Sequence, residues 1–196
     1  MVIHHIIPSE DITIYLLELP HLSSVDSISL TKEEKQKLNS LKSPSRKREY
    51  LAVRSLLHHT GLKGKLIYKN KRPKLKDSPY KISLSHCKTH AALALSQQEV
   101  GVDVETPGNR IRKTVGKFLG KDETQMAGND IHKLTLFWSA KESIYKINNR
   151  LNNFKRDMRI TALDMDKQYI GVECKDKHRS CFFKDMSDVI VTWCVD

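Results

Sequence analysis

The apolar positions of this 196-residue chain repeat with two periods. "DITIYLLEL" (11–19) and "KISLSH" (81–86) alternate residue by residue, the pattern of a strand with one buried face. "HAALALSQQEVGVDVE" (90–105) reads as two more strands, joined in a hairpin near Gln97–Gln98. In the tail, "QYIGVEC", "RSCFFK" and "DVIVTWCV" are short strands at turn spacing and predict an antiparallel meander. Steps of three and four mark helices. "TKEEKQKLNSL" (31–41) opens with Thr31 and Glu34 at capping-box spacing. Pro44 starts a second helix over 45–61, which Gly61 stops. Further helical patterns lie at about 110–119 and 130–150. A strand is expected at 65–68, then an irregular loop around Pro73 and Pro79. These elements predict an α+β fold divided into two lobes near residue 98, as 1–98 and 99–196.

Two stretches break the rule that polar faces are chemically bland. In "GVDVE" (101–105), Val100, Val102 and Val104 form one face, and Gly101, Asp103 and Glu105 the other. Alternate residues on a strand lie about 6.5–7 Å apart, so two like charges share a small area. Either nearby Lys and Arg neutralise them, or they hold a hard divalent cation, which takes carboxylate and phosphate oxygens. In "LFWSAKESIYKINNRL" (136–151), Phe137, Ala140, Ile144, Ile147 and Leu151 form one apolar stripe. Trp138, Glu142 and Lys146 form a ridge roughly opposite it. Glu142 and Lys146 could be an ordinary i,i+4 ion pair on a wet face. Trp138 on the same ridge points instead to a second buried contact or a ligand-facing wall.

Charge sharpens the choice. The formal net charge is +11, which predicts an anionic partner. Acids clustered inside a basic protein suit a metal bound together with a polyanionic substrate: carboxylates hold the ion, and Lys and Arg hold phosphates. The segment 63–81 carries seven Lys and one Arg against one Asp. It is a solvated face that could also steer acidic proteins. A nucleic-acid-binding protein is the competing class, but only Tyr68 and Tyr80 offer stacking there and no binding motif is present. No apolar run reaches the ~18–20 residues of a membrane span, and the N-terminus lacks a signal-peptide pattern. Cys87, Cys174, Cys181 and Cys194 show no metal-knuckle spacing and read as reduced cytoplasmic thiols.

"GVDVE" followed by "WSAKESIYK" (138–146) resembles the paired signature of the 4′-phosphopantetheinyl transferases, roughly G-[IV]-D-x-E and W-[ST]-x-K-E-[AS]-x-x-K. "SLSH" (83–86) resembles the family's S-H element, "RKREYLAVRSLLH" (46–58) its arginine-bearing helix, and "KFLGKDE" (117–123) its "RFF…E" segment. Length and the two-lobed pattern resemble the larger, monomeric type, two similar lobes in a pseudo-twofold arrangement, each a small antiparallel sheet packed with helices. The resemblance implies transfer of 4′-phosphopantetheine from coenzyme A to a serine of an acyl or peptidyl carrier protein, releasing adenosine 3′,5′-bisphosphate. It implies Mg²⁺, with Mn²⁺ as the alternative, on Asp103, Glu105 and Glu142. Glu142 would also serve as base and Lys146 would stabilise the diphosphate. Arg54, Arg72, Ser85, His86 and Lys141 would contact the coenzyme. Arg72 stands where the family's G-K-P element has lysine, and Lys71 where it has glycine. Lys32 and Lys35 are the N-terminal lysines available to grip the nucleotide. A degenerate relative that binds without catalysis is the third class, against which the intact acids and Lys146 argue.

Overall fold

The computed structural model describes residues 3–19, 30–62, 64–70 and 72–196. Strands β1 (Ile3–Ser9) and β2 (Ile12–Glu18) open the chain, followed by helices α1 (Lys32–Ser40) and α2 (Pro44–His59). Thr31 caps α1 with the reciprocal Glu34 bond that the spacing predicts, and Pro44 occupies the first turn of α2. Next come β3 (Leu66–Lys69), β4 (Arg72–Leu75), β5 (Lys81–His86) and β6 (His90–Ser96). The second half holds β7 (Val100–Glu105), a 3-10 turn at Asn109–Lys113, α3 (Val115–Phe118), α4 (Lys121–Ala127) and α5 (Ile131–Ile147). It ends with α6 (Phe154–Asp157), β8 (Met158–Asp164), β9 (Tyr169–Cys174), β10 (His178–Asp185) and β11 (Ile190–Val195).

The fold is α+β, with antiparallel sheets packed against helices. One sheet runs β1-β2-β6-β5 and a second runs β7-β11-β10-β9-β8. α2 covers the first through Ala52 and Leu56, against Leu17, Ile82 and Leu93. α5 covers the second, and every residue of its predicted stripe (Phe137, Ala140, Ile144, Ile147, and Leu151 beyond its end) is buried there. A third apolar cluster joins the sheets. Ile14, Leu16, Ala92 and Ala94 meet Val100, Val102, Val104, Val191 and Trp193. Residues 97–99 separate the strands of the first sheet from those of the second.

Three expectations change. The hairpin near Gln97–Gln98 does not form: β6 pairs with β2 and β5, whereas β7 pairs with β11. The valine face of β7 is satisfied by packing across the two sheets rather than by pairing beside β6. The irregular loop around Pro73 contains a strand, since β4 pairs with β3 in a two-stranded ribbon that tolerates proline. Asn70, at φ 52°, supplies its turn. The tail meander gains β8, which pairs with β9 and has a register shift between Ile160 and Ala162.

β7 therefore has no wet face. Its valines face the first sheet, and Gly101, Asp103 and Glu105 face α5. The approach at Gly101 is extreme. A Cβ there would lie 1.9 Å from the Ser143 carbonyl oxygen and 3.1 Å from Ile147 Cγ1. The obstacle is helix backbone, which cannot swing aside. Gly101→Ala should cost stability at or above the top of the ~1–3 kcal/mol usual for overpacking. Urea titration measures it; a change below about 1 kcal/mol would show that the helix and strand are not in this contact.

Candidate active site

Gly101 lets α5 lie close enough to β7 for short side chains to bridge them. Asp103 is only 4% exposed. Its Oδ1 accepts from Ser85 Oγ (2.7 Å) and Lys146 Nζ (2.8 Å), and its Oδ2 from Ser139 Oγ (2.8 Å). Thr192, the register partner of Asp103 on β11, shares its hydroxyl with Ser139 (2.9 Å) and Ser143 (2.8 Å). β5 and β7 are edge strands of different sheets and meet through side chains. The Val102 amide donates to Ser83 Oγ (3.0 Å), and the Val102 carbonyl accepts from Lys146 Nζ (2.7 Å). So Lys146 and Ser83 complete a strand edge that would otherwise be buried unpaired.

The remaining acids sit in the same field. Trp138 Nε1 donates to Glu105 Oε1 (3.0 Å), while its ring packs on Phe118 and Phe154. Burial, then the Asp103 charge, raise the Glu105 carboxyl to about 7; Trp138 and Lys146 oppose the shift. Burial and Asp103 likewise raise Glu142 to about 7, with Lys146 opposing and Glu105 adding. The isolated Glu142–Lys146 pair on a wet face is thus replaced. Lys146 is bonded to Asp103, and both ridge residues are half-buried.

Among the described residues, no three His, Cys, Asp or Glu side chains already close into a ligand cage. Even so, Glu105 and Glu142 each feel Asp103, and Glu142 also feels Glu105, so the three carboxylates repel one another in a desolvated place. That donor set fits a hard divalent cation whose shell is completed by water and phosphate oxygens. Asp103 has one carboxylate lone pair left after its three bonds.

Glu142 and Lys146 also form one wall of a cavity of about 1040 Å³. α2 supplies Arg46, Glu49, Tyr50 and Arg54; the β3–β4 ribbon supplies Arg72 and Lys74; β5 supplies His86. The stretch after α5 adds Arg150. The volume suits a ligand of nucleotide size, and the cations suit a polyanion. Arg54 lies 4.2 Å from the centre of the Tyr50 ring, and its Nε donates to Glu34 (2.8 Å). His86 lies 3.6 Å from Glu49.

Two expected coenzyme contacts are placed elsewhere. Lys141 has no exposed surface; its Nζ sits 2.6 Å from Glu123 Oε1 and donates to the carbonyls of Phe118 (2.7 Å), Phe154 (3.2 Å) and Met158 (2.8 Å). It neighbours Glu142 in sequence but is turned about 100° round the helix, into the far side of the lobe. Burial lowers its pKa and Glu123 opposes the shift. Glu123 in turn accepts from the Ile160 and Gly120 amides, so the pair ties α3, α4, α5, α6 and β8 together. Ser85 faces β7 and spends its hydroxyl on Asp103, because Ser83 and Ser85 share the strand face opposite Ile82, Leu84 and His86. Lys32 and Lys35 are exposed on α1 and do not line the cavity. Lys71 lies outside the described residues. Missed by the sequence reading were Arg46 and Tyr50. Their spacing to Arg54, eight and four residues, marks one face of α2 and could have found them.

A family model described as the 4′-phosphopantetheinyl transferase superfamily matches residues 99–194. No curated protein matches the chain.

Two outcomes follow from this geometry. Glu105 and Glu142 sit above their ordinary pKa of about 4.5 when folded, so their neutral forms favour the fold and that contribution is lost as pH rises through about 7. Without metal, the melting midpoint should be lower at pH 8 than at about pH 5.5, and the Glu105→Gln/Glu142→Gln double variant should flatten this difference. Mg²⁺ should raise the midpoint more at pH 8, where protons no longer compete. Equal pH dependence in both proteins would contradict this. For Lys141, removing one partner of a buried pair predicts a loss of about 3–5 kcal/mol in Lys141→Ala by urea titration. A phosphate-binding surface lysine would leave stability nearly unchanged.

Proposed function

Residues 99–194 place the chain in the 4′-phosphopantetheinyl transferase superfamily, and on that premise we propose that it transfers 4′-phosphopantetheine from coenzyme A to a carrier-protein serine with a divalent cation, Mg²⁺ or Mn²⁺. Members of this superfamily move phosphopantetheine from coenzyme A to carrier proteins. The observation that carries the reading is the pairing of Glu142 and Lys146, one helical turn apart, on the wall of a basic cavity formed by both halves of the chain.

Arg54, Arg72 and His86 bind the coenzyme phosphates. Lys146 uses two of its three N–H groups on Asp103 and Val102 and has the third for the diphosphate. A cation held by Asp103, Glu105 and Glu142 would neutralise charge on the diphosphate oxygens. Glu142, on the cavity wall beside Lys146, accepts the serine proton, directly or through a water. The serine Oγ bonds to the phosphorus that carries pantetheine. The bond from that phosphorus to the bridging oxygen breaks, and its electron pair leaves on adenosine 3′,5′-bisphosphate. Most of the acceleration comes from positioning and charge neutralisation. The net charge of +11 draws an acidic carrier protein to the site from a distance. The protein acts as a cytoplasmic monomer, its N-terminal half holding coenzyme phosphates and its C-terminal half the metal.

Intact-mass spectrometry of a panel of apo carrier proteins with coenzyme A tests the reading. At least one carrier should gain one phosphopantetheine, and EDTA should abolish the gain. Glu142→Gln should lower kcat by about 100-fold or more. Arg54→Ala should act mainly on KM for coenzyme A. No mass gain on any carrier, or full transfer by Glu142→Gln, would reject the assignment.

A further inference from the structure

Away from the cavity, two imidazoles from distant parts of the sequence face each other. His5 on β1 and His59 at the end of α2 place their Nε2 atoms 2.9 Å apart, with the rings at 86°. Both rings lie edge-on to Tyr15, the register partner of His5 on β2. Both histidines are exposed. We propose that His5 and His59 form a second metal site, for a first-row transition ion of the Ni²⁺ or Cu²⁺ kind, separate from the carboxylate site.

The geometry carries this. With metal–nitrogen bonds of ~2.0–2.1 Å, two nitrogens 2.9 Å apart subtend about 90° at the ion. That is the angle between neighbouring ligands of a square-planar or octahedral ion. Tetrahedral Zn²⁺ needs the pair opened to about 3.3 Å. The two nitrogens share a hydrogen bond; turning each exposed ring by about 45° off that line brings both lone pairs onto one ion, and water completes the shell. His59 lies in the last turn of α2, where the negative end of the helix dipole favours a cation. Ligand chemistry separates the two sites. Imidazole selects Ni²⁺ and Cu²⁺, while carboxylates with phosphate oxygens select Mg²⁺. A bound ion would clamp the β1–β2 hairpin to α2, the helix that carries Arg46, Tyr50 and Arg54 into the cavity.

The test uses the full chain and NiCl₂, with thermal melting and calorimetric titration. At about 1 mM Ni²⁺ the midpoint should rise by about 3 °C or more beyond any rise in His5→Ala or His59→Ala, and one more ion should bind per chain than in either variant. His5→Ala and His59→Ala, each compared with its own metal-free midpoint, should lose this extra rise. His178→Ala, another exposed histidine, should keep it. MgCl₂ should give a rise that both histidine variants retain. An equal Ni²⁺ response in wild type and both variants, or none in wild type, would overturn the site.

Discussion

The structure depends on how closely one helix backbone can approach one strand. At Gly101 the Ser143 carbonyl occupies space that any side chain would need. This contact sets the depth of α5 against β7, and the depth sets what can bridge them. Serines suffice: Ser139 reaches Asp103, and Ser143 reaches Thr192. Held at this distance, the next turns of α5 carry Trp138 onto Glu105 and Lys146 onto Asp103. A helix one side chain further out would leave these groups to water, and the acids of β7 would be ordinary surface charges.

Burial then does the electrostatic work. A carboxylate as enclosed as Asp103 survives only with partners, and it has three. Its charge, added to burial, pushes Glu105 and Glu142 upward. The concentration of acid in a basic protein is therefore a strained local arrangement, relieved by protons or by a divalent ion. Lys146 belongs both to the fold, as a partner of a strand edge, and to the cavity wall. Such double duty makes the lysine's position insensitive to ligand, which is the preorganisation that charge stabilisation requires.

The sequence made much of this legible. Capping residues, Pro44 and the apolar stripe of α5 gave elements that the fold keeps. The paired acidic motifs gave Asp103, Glu105, Glu142 and Lys146 as one group. What stayed hidden was direction. A two-residue alternation says that the faces of β7 differ, not that both are covered, so 90–105 read as a hairpin. Likewise, adjacency in "KES" put Lys141 with Glu142, while the helical turn between them sends one into the core and the other to the cavity. Ser83 and Ser85 carry no charge or hydrophobic signal, and their role exists only because two sheet edges meet.

The most direct measurement is a crystal structure of the complex with coenzyme A and Mg²⁺. The account predicts one ion bound by oxygens of Asp103, Glu105 and Glu142 and by the coenzyme diphosphate, with Lys146 Nζ within hydrogen-bond distance of that diphosphate. A coenzyme bound outside the cavity, or an ion that touches none of Asp103, Glu105 and Glu142, would contradict it.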